Sequence, residues 1–226
     1  RKTKEIVAGS PNVALSIKPP FTGYYFIDLD GEKIEYLRKS IGLRKDVRIS
    51  EGDCNKLLSR DIFPEIQYKN YQRALCLLDP YGLHLNWKVI EKAGRSRAIE
   101  IFLNFPLLDM NRNVLWTNPN KVEFQQVERM NDFWGDESWR KAAYDKSKDL
   151  FGDEIEQKKS HKTIIKAFKK RLKEVAEFNY VPEPIPMRNT KGGIIYYLFF
   201  ASNNETGHDI VRDIFKKYKD YGINEQ

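Results

Sequence analysis

Four apolar segments in the first half of the sequence each end in a polar side chain, and this regular ending constrains the fold most. The ending residues are Asp28, Asp53, Asp79 and Asn104, which follow one another at intervals of 25, 26 and 25 residues. An apolar strand followed by an amphipathic stretch, repeated in this way, is typical of βαβ units. Because such units are right-handed and place their parallel strands side by side, we expect the four ends at one edge of one sheet.

The segments between these ends predict the individual strands and helices. Apolar runs indicate strands, and apolar residues three and four positions apart indicate the helices that connect them. Strands are predicted at 24–29, 47–49, 74–79 and 98–103. Helices are predicted at 32–41, 56–62 and 83–93.

The second half of the chain changes from alternating elements to a helical cover, which we place at about 107–177. Its helices are predicted at 121–130, 137–150 and 160–177. An extended segment, a turn and an apolar strand then predict a C-terminal antiparallel hairpin, at 178–187, 189–193 and 194–201. A last helix is predicted at 206–218. The expected fold is one α/β domain over residues 1–226, with a mostly parallel, doubly wound sheet that the hairpin closes.

Composition narrows the class of protein. A chain of 226 residues with 41% hydrophobic residues can bury the core of one domain. The sequence has no apolar run of about 18 residues and no secretory signal pattern at Arg1, which predicts a cytoplasmic protein without a membrane span. Cys54 and Cys76 are not in a metal-type spacing and are expected to be free thiols. The formal net charge of +7 favours an acidic partner such as nucleic acid.

The first two strand ends are candidate cofactor ligands, because open α/β sheets bind ligands at the carboxyl ends of their strands. A carboxylate at Asp28 can accept hydrogen bonds from both ribose hydroxyls of an adenosine cofactor. Asp53 can accept from the adenine amino group while Cys54 lines the base. The alternatives are that Asp28 or Asp30 only caps the following helix, and that Asp53 only stabilises its own turn.

The third strand end, Asp79-Pro80-Tyr81, is the candidate catalytic segment. Proline removes a backbone donor and fixes φ, so that hydrogen-bond acceptors are concentrated where Asp79 faces the crevice. Such a cluster suits an amino group that loses a proton as its nitrogen attacks an electrophilic methyl group, and Tyr81 can stack on a planar substrate. Alternatively, Pro80 begins the next helix and Tyr81 packs in the core.

The predicted helix at 160–177 is rich in lysine and offers a second kind of surface. Lys166, Lys169 and Lys170 lie on one side of it, opposite an apolar face. A solvated face is the ordinary interpretation of such a charge run, and contact with nucleic acid is the alternative. No histidine has a sequence partner that would form a nucleophile or a metal site, so we assign neither a catalytic histidine nor a metal.

Several short motifs in this order resemble those of one known family. They are Gly9-Ser10-Pro11 before an apolar helix, Phe26-Ile27-Asp28, Gly52-Asp53-Cys54-Asn55, Leu78-Asp79-Pro80-Tyr81-Gly82, Leu103-Asn104-Phe105-Pro106 with Asn111-Arg112, and Phe199-Phe200-Ala201-Ser202-Asn203. Together they run across nearly the whole chain. The chain resembles the three-Cys-motif partner proteins, a prokaryotic family with a fold like that of class I S-adenosylmethionine-dependent methyltransferases.

The resemblance implies a Rossmann-like methyltransferase sheet, S-adenosylmethionine as cofactor, and a partner protein with a three-cysteine motif and radical S-adenosylmethionine-like chemistry. Relatives begin with a strand and a glycine-rich loop that this sequence does not match, so we expect further sequence upstream of Arg1. Amino-methyltransferases of nucleic acids carry two prolines where this chain has only Pro80, which leaves the methyl acceptor open between nucleic acid and protein. A non-catalytic module that binds nucleic acid or a partner is the alternative function.

Overall fold

The computed structural model describes residues 9–148 and 154–221, and it divides into two compact units, one ending at Leu57 and the other beginning at Leu58. In these residues, the strands form a two-stranded parallel sheet, a four-stranded mixed sheet and a two-stranded antiparallel sheet. The α/β class is therefore confirmed. The four parallel strands are present, but as two pairs in separate sheets rather than as one ladder. The single domain over 1–226 stays a prediction.

The first unit is built around one parallel strand pair. Its elements are α1 (Ser10–Ser16), β1 (Tyr24–Asp28), α2 (Gly31–Ile41), β2 (Val47–Glu51) and α3 (Cys54–Leu57). The pairing of β1 with β2 sets Tyr24 opposite Val47 and Asp28 opposite Glu51. Helix α2 begins where the sequence predicts, because the Asp30 carboxylate accepts from the backbone N–H groups of Glu32 and Lys33.

The second unit contains the larger sheet. Its strands are β3 (Ala74–Leu78), β4 (Ile99–Phe105), β7 (Ile185–Arg188) and β8 (Ile194–Ala201), in the spatial order β3-β4-β8-β7. Strands β3 and β4 are parallel, whereas β8 runs antiparallel to both β4 and β7. The predicted C-terminal hairpin is therefore confirmed. Helices α4 (Trp87–Ser96) and α5 (Leu107–Asn113) flank β4 in sequence, and α9 (Glu205–Tyr221) follows β8.

The cover over this sheet is only partly helical. It contains α6 (Phe124–Trp134), α7 (Trp139–Ala143), β5 (Tyr144–Lys148), β6 (Glu154–Lys158) and α8 (His161–Glu174). The helix predicted at 137–150 is wrong beyond Ala143, because the chain turns there into an antiparallel pair with Tyr144 opposite Lys158. Tertiary bonds favour this strand, since Tyr144 Oη donates to the Trp116 carbonyl at 2.8 Å. Residues 149 and 150 lie outside the described part of the chain.

An aromatic cluster forms the core between the larger sheet and its cover. Phe168 of α8 is fully buried, and its ring contacts Phe105 of β4, Phe199 of β8 and Trp87 of α4. Full burial of such a side chain stabilises the fold by about 1.5–3 kcal/mol. Among the described residues, no helix is both long enough and apolar enough to cross a membrane.

Candidate functional site

Asp28, at the end of β1, has one carboxylate oxygen bound within its own turn. Its Oδ1 accepts from the Asp30 backbone N–H at 2.9 Å. Its Oδ2 lies 3.8 Å from Lys33 Nζ, and the Asp28 side chain is 41% exposed. Asp30, not Asp28, caps α2. Asp28 therefore retains an oxygen that a ligand can reach.

The turn after β2 carries the other two predicted cofactor residues to the end of β1. The Gly52 N–H donates to the Asp28 carbonyl at 3.0 Å, and Gly52 adopts a φ of 149°, which favours glycine. Asp53 then accepts the Asn55 N–H on Oδ1 at 2.9 Å. Its carbonyl accepts from the backbone N–H groups of Lys56 and Leu57, the last two residues of α3. One of the two carboxylate oxygens of Asp53 therefore stabilises its own turn, as the alternative interpretation of this residue predicts.

Cys54 is held close to these acids and stays protonated at neutral pH. Burial raises the pKa of its thiol, and the carboxylates of Asp53 and, to a smaller degree, Asp28 raise it further. A neutral, half-buried thiol is an apolar surface rather than a nucleophile. The structure therefore brings Asp28, Asp53 and Cys54 together, as the sequence predicts.

Asp79 and Asn104 form a second strand-end pair, in the larger sheet. The parallel register aligns Leu78 with Leu103, so that the next residue of each strand is a polar one. Asn104 Nδ2 donates to Asp79 Oδ1 at 2.7 Å. Because the amide nitrogen of Asn104 donates in this bond, its carbonyl oxygen is left as an acceptor, as is the second oxygen of Asp79. This pair presents acceptor oxygens together with the second N–H of the Asn104 amide, which remains a donor.

The pair opens onto a surface groove of about 360 Å³. The groove is lined by residues of the β3–α4 connection, the end of β4, α5 and β8, among them Asp79, Pro80, Tyr81, Asn104, Arg112 and Tyr196. The Tyr81 side chain is 90% exposed, and its ring stacks on His84 with centroids 6.2 Å apart. Helix α4 begins only at Trp87. The alternative in which Pro80 begins a helix and Tyr81 packs in the core is therefore wrong.

Gly82 is the residue of this turn that accepts no substitution without strain. Its φ is +60°, and a Cβ atom placed on it would lie 2.8 Å from the Asp109 carboxylate. Asp109 Oδ1 accepts from Asn113 at 2.9 Å, whereas its Oδ2 is buried without a hydrogen-bond partner in the described structure. The carboxylate of α5 thus packs directly on the Asp79–Gly82 turn.

Sequence reasoning missed several residues of this groove. Asn104 appeared only as a strand end, although its spacing of 25 residues from Asp79 is the signal that places the two side by side. No signal in the sequence singled out Tyr196, whose strand β8 reaches the groove only through its pairing with β4. Arg112 is exposed, and no acid of the described residues forms an ion pair with its guanidinium group.

The basic helix α8 is partly neutralised by acids of neighbouring segments. Lys169 pairs with Glu183, and Arg171 lies 2.8 Å from Asp136. Lys170 lies 3.7 Å from Glu174. Lys162, Lys166 and Lys173 are exposed and make no ion pair within the described ranges. The face available to an acidic partner is therefore narrower than the sequence suggests.

No group of three or more His, Cys, Asp or Glu side chains within the described parts of the chain is arranged to hold a metal ion. Comparison with known proteins finds no matching family model, no matching curated protein and no matching solved structure.

Proposed function

We propose that this chain is an S-adenosylmethionine-dependent methyltransferase of the Rossmann-like class I type that methylates an amino group. One observation carries the proposal. Each of the two parallel strand pairs ends at an aspartate, Asp28 or Asp79, that has one oxygen hydrogen-bonded inside the protein and a side chain that remains accessible to a ligand. Ligands of α/β sheets bind at such strand ends.

The residues of the first unit fit an adenosine cofactor. The open oxygen of Asp28 accepts from the ribose hydroxyls, Asp53 accepts from the adenine amino group, and the neutral thiol of Cys54 contacts the base. Charged acceptors suit hydroxyl and amino donors, because such bonds are about twice as strong as neutral ones. When bound, S-adenosylmethionine supplies an electrophilic methyl group.

The second unit supplies the acceptor side of the proposed reaction. Asp79 Oδ2 and the Asn104 carbonyl orient the two hydrogens of an amino group, so that the nitrogen lone pair points away from them. Asp79 holds the proton that the nitrogen loses. Pro80 contributes no backbone donor to compete for these acceptors, and the exposed Tyr81 ring offers a stacking surface.

The proposed partner is a protein with a three-cysteine motif and radical S-adenosylmethionine-like chemistry, as the family resemblance implies. We place the reaction in the cytoplasm. The proposed methyl acceptor is an amino group of a nucleic acid or of a protein.

A calorimetric titration with S-adenosylhomocysteine tests the cofactor site. Wild type and the exposed-acid control Glu35→Gln are expected to bind equally. Asp28→Asn is expected to bind about tenfold more weakly, because a charge-assisted hydrogen bond contributes about 1.5–3 kcal/mol. The proposal is wrong if the wild type shows neither a heat of binding nor a shift of its melting temperature at millimolar S-adenosylhomocysteine.

A second candidate function is a non-catalytic module that binds nucleic acid through α8. The exposed and unpaired stripe of Lys162, Lys166 and Lys173 favours it, within the described residues. This candidate predicts binding to RNA or DNA that weakens steeply with salt and that is lost in the triple charge reversal to glutamate. Binding that survives the reversal rules out α8 as the contact.

A further inference from the structure

We propose that the groove at the end of β3 and β4 binds a nucleotide whose base carries an exocyclic amino group, with the nucleotide's phosphate on Arg112. This inference rests on the acceptor side of the proposed function and names its substrate class. The groove volume of about 360 Å³ lies within the range typical of small-molecule sites.

The polar end of the groove selects for a donor. Asp79 is a carboxylate whose Oδ1 is already held by Asn104 at 2.7 Å, and Asn104 presents its carbonyl oxygen. An ionised carboxylate can only accept hydrogen bonds, whereas the Asn104 amide keeps one N–H donor besides its carbonyl oxygen, so the selection for a donor comes from Asp79. Cytosine, adenine and guanine offer an amino group with two hydrogens to such a pair. Uracil and hypoxanthine place a carbonyl oxygen at the same position, and this oxygen would be repelled by the Asp79 carboxylate.

The sides of the groove suit a planar ring. Tyr81 is almost fully exposed, so its ring is accessible to a ligand. Its ring is braced from behind by His84, whose Nε2 lies 2.9 Å from Arg129 Nη2. Tyr196 lines the same groove from β8. Stacking of a base on an aromatic side chain contributes about 1–3 kcal/mol and requires no particular base.

The cation of the groove suits a phosphate. Arg112 belongs to α5 and lines the groove with Asp79 and Tyr81. Its backbone is held in place, because Trp116 Nε1 donates to the Arg112 carbonyl at 2.7 Å. Its guanidinium group makes no ion pair in the described part of the chain and presents a fork of donors that matches a phosphate. A peptide amide would use the acceptors but would leave both the rings and this cation unused.

Two isosteric ligand pairs test the inference by ligand-observed NMR on the whole chain. We expect CMP to bind about tenfold more tightly than UMP, and AMP more tightly than IMP, since within each pair an exocyclic amino group is replaced by a carbonyl oxygen and the adjacent ring nitrogen gains a hydrogen. We also expect CMP to bind more tightly than cytidine. Equal affinity for CMP and UMP together with equal affinity for AMP and IMP, or no nucleotide binding at millimolar concentration, would overturn the inference.

Matched variants assign the contacts. Asp79→Asn, whose amide can also donate, is expected to abolish the preference for CMP over UMP. Arg112→Gln is expected to abolish the advantage of CMP over cytidine, whereas the exposed control Arg97→Gln keeps it. Tyr81→Leu is expected to weaken the binding of all nucleotides, whereas the exposed control Tyr36→Leu is expected to leave their binding unchanged. A phosphate advantage that persists in Arg112→Gln contradicts the assigned phosphate contact.

The outcomes separate this inference from the proposed function. If the chain selects among nucleotides but does not bind S-adenosylhomocysteine, the nucleotide site in the groove is supported and the proposed methyltransferase function is wrong. Binding of S-adenosylhomocysteine without nucleotide selectivity sinks the inference alone. Displacement of CMP by an asparagine- or glutamine-containing peptide at lower concentration than by AMP identifies a protein acceptor and also overturns the inference.

Discussion

Asp28 and Asp79 occupy equivalent positions in the two units, at or just beyond the end of the first strand of a parallel pair, yet they are held in different ways. Asp28 receives a bond from a backbone N–H two residues further along the chain. Asp79 receives a bond from the side chain of Asn104, which belongs to the neighbouring strand. The Asp28 carboxylate is therefore held within its own turn, whereas the Asp79 carboxylate is held by a side chain that reaches it only when β3 and β4 are paired.

The two sites also differ in their charge. Lys33 Nζ lies 3.8 Å from Asp28 and 3.7 Å from Asp30, so that cation partly balances the carboxylates of the first site. Asp79 has no ion pair among the described residues, and its bound partner is a neutral amide. A neutral partner leaves the Asp79 carboxylate its full capacity to attract an amino donor.

Replacement of one glycine in each unit gives the largest expected contrast. Gly82→Ala combines a φ of +60° with a Cβ atom 2.8 Å from Asp109, and is expected to lower the free energy of unfolding by about 2–3 kcal/mol. Gly31→Ala brings its Cβ only to 3.2 Å from the flexible Glu51 carboxylate, and is expected to change it by less than about 0.5 kcal/mol. Denaturant titration measures both.

Gly192→Ala is the control for backbone strain alone. Its φ is +79°, and no atom lies within 4 Å of its added Cβ. It is expected to lower the free energy of unfolding by about 1 kcal/mol. If Gly82→Ala lowers it no more than Gly192→Ala does, the contact between Asp109 and the Asp79–Gly82 turn is not tight.

Double-mutant cycles compare the polar pairs at a smaller scale. The coupling free energy between Asp79→Ala and Asn104→Ala is expected to be about 1 kcal/mol, as for a hydrogen bond to a charged group at a partly exposed site. The coupling between Asp28→Ala and Lys33→Ala is expected to be about 0.3 kcal/mol, because that ion pair is long and exposed. Equal couplings would remove the distinction between the interaction of Asp79 with the neighbouring strand and the interaction of Asp28 with its own helix.

The reactivity of Cys54 gives the smallest effect. In a Cys76→Ser background, alkylation at pH 8 is expected to be slower than for a free thiol, because a raised pKa leaves less thiolate at a given pH. Asp53→Asn is expected to speed the reaction by lowering the pKa toward its ordinary value. The rate is measured from pH 7 to 10, with Asp61→Asn as the control acid. A thiol that reacts as fast as a free one would contradict burial of Cys54 among these acids.

The spacing of strand ends predicted that all four polar ends lie at one edge of one sheet, and the structure brings them together as two pairs in separate sheets. The interval from Asp79 to Asn104 matches one βαβ repeat, and the parallel pairing that sets Leu78 opposite Leu103 agrees with it. Apolar periodicity likewise predicted α2 and α8. Their N-cap residues, Asp30 and Ser160, are of types that commonly begin helices.

Other features depend on contacts that no local pattern encodes. The segment Tyr144–Lys148 lacks an alternating apolar pattern, and it becomes a strand through its pairing with β6 and the bond from Tyr144 to Trp116. Spacing also cannot tell whether an aspartate uses an oxygen in its own turn, as Asp53 does with Asn55. The exposure of Tyr81 is a further example, since an aromatic residue after a proline reads equally well as a core residue.

The most direct test of the account measures two ligands against two variants. Dissociation constants of S-adenosylhomocysteine and CMP are determined for wild type, Asp28→Asn and Asp79→Asn. Asp28→Asn is expected to weaken the binding of S-adenosylhomocysteine about tenfold, which is about 1.4 kcal/mol, and to leave the binding of CMP unchanged. Asp79→Asn is predicted to weaken CMP and to leave S-adenosylhomocysteine unchanged. Loss of both ligands in either folded variant, or a wild type that binds neither, would contradict the division of the two strand ends into cofactor and acceptor sites.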